Sequence, residues 1–130
     1  MRTTTLRAIL PLALLAALPI SAATAAAPAG STVTITAEGT DLSGTVSSSA
    51  SCKDDRKVVV FKQRGTKGGG DDRRIATDDT EVSGGVGRWS TGNTGMTGRF
   101  YAKVTKTADC SADVSPTIRV TTSRLRDVRS

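Results

Sequence analysis

Chemically competent side chains crowd most densely into Ser51–Arg74, "SCKDDRKVVVFKQRGTKGGGDDRR". Its carboxylates belong to three acidic pairs, Asp54-Asp55, Asp71-Asp72 and, just beyond, Asp78-Asp79. Calcium needs several oxygens converging on one point. Neighbours along an extended chain point to opposite sides, so each pair offers one or two ligands at most. The D-x-D-x-D-G spacing is absent, and the pairs read as turn residues that offset nearby cations; no metal is expected. Gly68, Gly69 and Gly70 supply positive-φ freedom. They do not form a phosphate loop, which needs G-x-x-x-x-G-K-[ST] and a following helix. A second constellation is "GRFYAKV", where Arg99, Tyr101 and Lys103 alternate with Phe100, Ala102 and Val104. A ring between two cations can serve as a platform for an anionic polymer or glycan, with Lys62, Arg64 and Lys67 as further candidate contacts. The same residues also make an ordinary exposed strand face, which is the favoured reading. The lone Trp89 reads as core rather than as a sugar-stacking residue.

Catalysis has little to stand on. The chain contains no histidine, which removes the usual general base, the Ser–His dyad and most zinc sites. No G-x-S-x-G elbow occurs, and nothing places two carboxylates across a cleft. A non-enzyme without cofactor is expected.

The elements that must position these side chains begin after an export signal. Arg2 and Arg7 precede an apolar run from Ala8 to Ile20, and small residues follow. That order is a secretory signal peptide, and the run is too short to span a bilayer. Ala23-Thr24-Ala25 fits cleavage after Ala25; cleavage after Ala27 also fits but leaves Pro28 at the cut. The expected organisation is a signal at 1–25, a short linker at 26–30, one domain at 31–122 and a basic flexible tail at 123–130. Removal of Arg2 and Arg7 from 18 Lys+Arg leaves 16 against 12 Asp+Glu, a mature charge of +4. That permits an anionic partner without demanding one. Two cysteines in an oxidising compartment imply one disulfide, Cys52–Cys110.

Along the mature chain the hydrophobic period is two. "STVTITAE" sets Val33, Ile35 and Ala37 on one side; "DLSGTVSS" sets Leu42 and Val46 together. "KVVVFK" is apolar on both faces and reads as a central strand. Short strands follow around Ile75, Val82, Trp89, Phe100–Val104 and Ile118–Val120, with Gly, Asn, Asp and Ser clusters between them. About seven strands and no helical stripe predict an all-β fold: a single antiparallel Greek-key β-sandwich with one disulfide.

The order "GTVSSSASCKDDRKVVVFK", "RWS", "GRFYAKV", "ADCSADVSPTIRV" resembles the small secreted bacterial β-sandwiches of the Ig-like and prealbumin-like group, which includes carboxypeptidase regulatory-like domains. It departs from them where "GGGDD" lengthens one loop and "TEVSGGVGRWS" lengthens another. The resemblance implies a fold and an extracellular setting, and carries no catalytic residue and no fixed ligand. Two functions follow as expectations. The first is a secreted structural or interaction module for an extracellular protein or cell-envelope component, with no specific nucleic-acid partner and no membrane span. The alternative is a weak polyanion- or glycan-binding protein using Arg99, Tyr101, Lys103, Lys62, Arg64 and Lys67. Cations clustered on one face would favour the second, scattered cations the first.

Overall fold

Apolar residues at alternate positions bury one face of a strand, and two such faces stack into a core. In the computed structural model, which describes residues 16–17 and 27–121, that core joins two antiparallel sheets. The first sheet orders β1 (Thr32–Val33), β3 (Asp41–Ser47), β7 (Val86–Asn93) and β6 (Glu81–Ser83), with β2 (Thr36–Glu38) also paired to β3. The second orders β10 (Ile118–Val120), β8 (Gly98–Val104), β4 (Lys57–Lys62) and β5 (Arg73–Asp79), with β9 (Asp113–Val114) also paired to β8. Pairing of β3 with β7 and of β4 with β8 skips intervening strands, which is the Greek-key crossing between sheets. Among the described residues no helix is long and apolar enough to cross a membrane. Apart from Ala16 and Ala17, the expected signal lies outside the described residues, as does the tail at 123–130.

Leu42, Val46, Val58, Val60, Phe100, Ala102 and Val104 meet in the core, all 1 % exposed or less. Trp89 joins them at 2 % exposure, as its reading as core requires. Its ring fits because Gly44 lies opposite on β3. A Cβ there would stand 2.8 Å from Trp89 Cζ2 and 1.9 Å from the Thr34 carbonyl oxygen. The first strand of the reading, "STVTITAE", is divided. β1 ends at Val33, and Thr34 donates its N–H to the Thr45 carbonyl while its Oγ1 bonds the Thr45 hydroxyl. Ile35 stays buried, but Ala37 is exposed beside Leu42 at the sheet edge. The strand around Ile75 is longer than read, running seven residues along β4. A register shift opposite Val60/Phe61 lets both Ile75 and Ala76 pack against the core.

One end of the sandwich is fastened by the Cys52–Cys110 disulfide, across a Cα–Cα distance of 5.7 Å. Cys52 closes a single 3-10 turn, Ala50–Cys52, before β4. Beside the bridge Arg56 is 2 % exposed. Its guanidinium donates to the carbonyls of Cys52, Thr105 and Ser111 and to the Ser31 hydroxyl, all within 3.0 Å. Four chain segments therefore converge on one side chain. Burial lowers its pKa from the ordinary guanidinium value, so uncharged acceptors alone offset its desolvation.

Candidate functional site

Residues on the outer face of the second sheet follow from register. Lys57, Val59 and Phe61 of β4 stand beside Thr105, Lys103 and Tyr101, and Arg99 of β8 stands opposite Arg119 of β10. Phe100, Ala102 and Val104 take the inner face, as the alternation in "GRFYAKV" requires. Arg99, Tyr101 and Lys103 thus share one face. Arg74 of β5 is on it as well, donating to Thr77 Oγ1 at 2.8 Å.

The face is not open over its whole extent. Tyr101 is 4 % exposed, so the reading of it as an exposed platform residue is corrected. The 63–72 loop folds back across it. Asp72 holds that loop closed: its carboxylate accepts the Arg64 N–H at 3.2 Å, the Gly68 N–H at 2.8 Å and the Tyr101 hydroxyl at 2.5 Å. Gly68 sits at φ +78°, and a Cβ on Gly69 would come within 2.8 Å of the Thr66 carbonyl oxygen, so the glycine run makes a tight fold-back rather than a slack loop. The Tyr101 ring stacks on Phe61 at 5.3 Å between centroids and 19° between planes. Lys67 crosses over the Tyr101 ring, 5.4 Å from its centroid, and bonds the Ser115 carbonyl beyond it.

Electrostatics at this point are asymmetric. Burial, then the hydrogen bond to Asp72 and the charge of that carboxylate, push the Tyr101 phenol up to about 12. The Tyr101 hydroxyl, the N–H groups of Arg64 and Gly68 and the charge of Arg99 hold Asp72 below its ordinary value, outweighing its partial desolvation. Among the described residues the one ion pair is Lys57–Asp79, at 3.8 Å and well exposed. The side chains of Arg99, Lys103 and Arg119 make no hydrogen bond or ion pair there.

Of the six residues singled out in the sequence, Arg99, Tyr101, Lys103 and Lys67 come together on this face. Lys62 ends β4 with its side-chain stem against Gly98, 3.1 Å from where a Cβ would be. Arg64 is exposed on the loop and contributes its backbone N–H to Asp72. Sequence reasoning missed Arg119 and Arg74, which reach the face only through strand pairing. The register of "PTIRVTT" against "GRFYAKV" was the signal available, since both alternate apolar and polar.

The outer face of the first sheet differs in kind. It borders a groove of about 690 Å³ lined by hydroxyls of Thr34, Thr36, Ser43, Thr45 and Ser90, with Glu81 and Arg88 and with Asp78 and Asp79 of β5 in the second sheet. Asp78 accepts the Ser90 N–H at 2.8 Å. Carboxylates outnumber cations there. Of the acidic pairs, Asp72 and Asp78 are thus held by hydrogen bonds, and no group of three or more His, Cys, Asp or Glu side chains able to hold a metal occurs among the described residues. Comparison with known protein families and with curated proteins finds no match for this chain.

Proposed function

We propose that this protein is a secreted, non-catalytic module that binds an anionic polymer of the extracellular surface through the outer face of its second sheet. One observation carries the reading: Arg99 and Arg119 stand directly opposite each other on β8 and β10, and among the described residues neither forms an ion pair, the Asp72 carboxylate acting on Arg99 only through its charge. Like charges directly opposite destabilise a sheet. A local conflict that no ion pair relieves is expected where function requires it. Lys103, two positions further along the same face of β8, extends the pair into a cationic strip, and Lys57, Lys67 and Arg74 lie around it. Anion binding at such a strip gains from counterion release. The disulfide and the small all-β scaffold support an extracytoplasmic setting.

The interaction-module reading differs in what it expects of the arginines. On the anionic-polymer reading, Arg119→Thr relieves the like-charge pair and stabilises the fold by about 0.2–1 kcal/mol, while weakening retention on heparin or polyphosphate resin. Wild-type protein stays bound at about 0.15 M salt, where exposed charges further apart than about 8 Å are screened, and Arg99→Ala with Lys103→Ala elutes earlier. Chemical denaturation and salt elution of these variants test it. Elution of the wild type below that salt, or variants that elute with it, would return the face to the interaction-module reading.

A further inference from the structure

We infer that the cleft between the 63–72 loop and β8 holds one acidic sugar unit of that polymer, a hexuronate, so that the protein selects acidic polysaccharide over other polyanions. This deepens the anionic-polymer reading and rests on it. The cleft has a volume of about 440 Å³ and is walled by Phe61, Lys67, Gly69, Tyr101, Lys103 and Val114. That volume lies within the range of about 300–1,000 Å³ usual for small-molecule sites.

Its chemistry has two parts that an inorganic anion cannot use together. The first is apolar and aromatic. Phe61 is half-buried and backed by the stacked Tyr101 ring. Val114, paired with Lys103 across β8 and β9, is 43 % exposed, one of two large apolar side chains left open among the described residues. A bare phosphate gains nothing from such surface, whereas the C–H face of a pyranose covers an aromatic ring and excludes water from it. The second part is cationic. The exposed Lys103 ammonium stands with Val59 on one side and Val114 on the other and forms no ion pair among the described residues. Lys67 reaches over the opposite wall. A carboxylate on the sugar ring meets these ammonium groups while the ring lies against Phe61 and Val114. Asp72 bounds the cleft at its polar end and accepts hydroxyl hydrogen bonds, as it already does from Tyr101. Gly68 and Gly69 present backbone alone on the loop side, which leaves room for the ring's substituents. The larger groove on the first sheet offers hydroxyls and mainly negative charge, and it suits no anion.

Titration calorimetry with oligogalacturonate and with polyphosphate of matched charge tests the inference on the mature protein. The expected result is tighter binding of oligogalacturonate. Phe61→Leu, which keeps apolar volume but removes the ring, lowers oligogalacturonate affinity about tenfold and leaves polyphosphate unchanged. Val114→Ser, at an exposed position, lowers the same affinity without risk to the core and guards against a Phe61 variant that fails to fold. Equal affinity for both polymers, or unchanged oligogalacturonate binding in both variants, would overturn the sugar site and leave the anionic-polymer reading standing. Binding of neither polymer would overturn both.

Discussion

Tyr101 is the chain's one tyrosine, so its ionisation can be followed by ultraviolet absorbance without overlap from another phenol. Its pKa is raised from 10.0 to about 12, first by burial and then by the hydrogen bond to Asp72 and that group's charge. The fold therefore favours the neutral phenol. The stability this contributes is complete below pH 10 and is lost as pH rises from 10 through 12. Asp72 runs the other way. Its pKa is lowered, chiefly by the Tyr101 hydroxyl, so its contribution is complete above the ordinary carboxylate value and is lost as pH falls below it. We expect a rapid-mixing absorbance titration of the native protein to give a Tyr101 midpoint near 12. Asp72→Asn should bring that midpoint part of the way back toward 10, because burial, the larger cause, remains. A wild-type midpoint at 10 would mean that the 63–72 loop does not close over the ring. Arg56 shows what residue types alone conceal. In "DDRKVVV" it reads as one more charged strand end, yet it is buried against three carbonyls and a hydroxyl. Nothing in its immediate neighbours distinguishes it from Lys57, which is exposed and paired with Asp79.

Between elements, the critical positions are those where two backbones nearly touch. β5 passes from the second sheet into β6 of the first at Thr80, which is 2 % exposed. Its hydroxyl accepts the Arg56 N–H at 2.9 Å and donates to the Lys53 carbonyl at 2.6 Å. Gly87 of β7 lies against this crossing. A Cβ there would fall 2.0 Å from the Lys53 carbonyl oxygen and 3.0 Å from Thr80 Cβ. Gly87→Ala should therefore cost about 1–3 kcal/mol by overpacking, measured as a lower denaturation midpoint with unchanged m-value. At Gly85, where a Cβ meets nothing within 4 Å, a positive φ of 81° is the only obstacle. Alanine there is a backbone control free of overpacking. A Gly87 variant as stable as the parent would show that the crossing is looser than its contacts indicate.

Strand identity was legible wherever burial is one-sided, as in "GRFYAKV" and "DLSGTVSS", because alternation is the direct imprint of a half-buried strand. The central β4 was legible from its unbroken apolar run. The division of β1 from β2 was not, since it depends on Thr34 bonding Thr45 while Val33 and Ile35 keep the alternating pattern across the break. Nor was the cover over Tyr101. Asp72 could be read as a turn residue, but its partners Arg64, Gly68 and Tyr101 are brought to it only by the folded loop. For the candidate site, the β8 residues were visible in the sequence as a strip, while Arg119 and Arg74 needed the sheet to place them beside it.

Across the whole molecule, the proposed binding face and the fastened end are separate. The disulfide and Arg56 gather one end of the sandwich, where Ala29 also bridges Cys110. The cationic strip and the cleft lie out on the second sheet, supported by β4, β8 and β10. A domain of the size described at 27–121 buries only about two thirds of its unfolded surface, so its core leaves a thin margin and the cross-link matters. Cys52 and Cys110 are separated by 58 residues. On the chain-entropy account a closed loop of that length contributes roughly 4 kcal/mol by restricting the unfolded state. Cys52→Ala with Cys110→Ala should therefore lower stability by about 2–5 kcal/mol. Arg99, Lys103 and Arg119 are held by strand pairing rather than by the bridge, so anion affinity measured well below the variant's melting temperature should match the parent's. Denaturant titration together with calorimetric binding of polyphosphate at low temperature checks both halves. A double variant as stable as the parent would assign the fold's stability to the core and the Arg56 cluster alone. Affinity that falls in step with stability would mean that the strip is shaped by the fastened end after all.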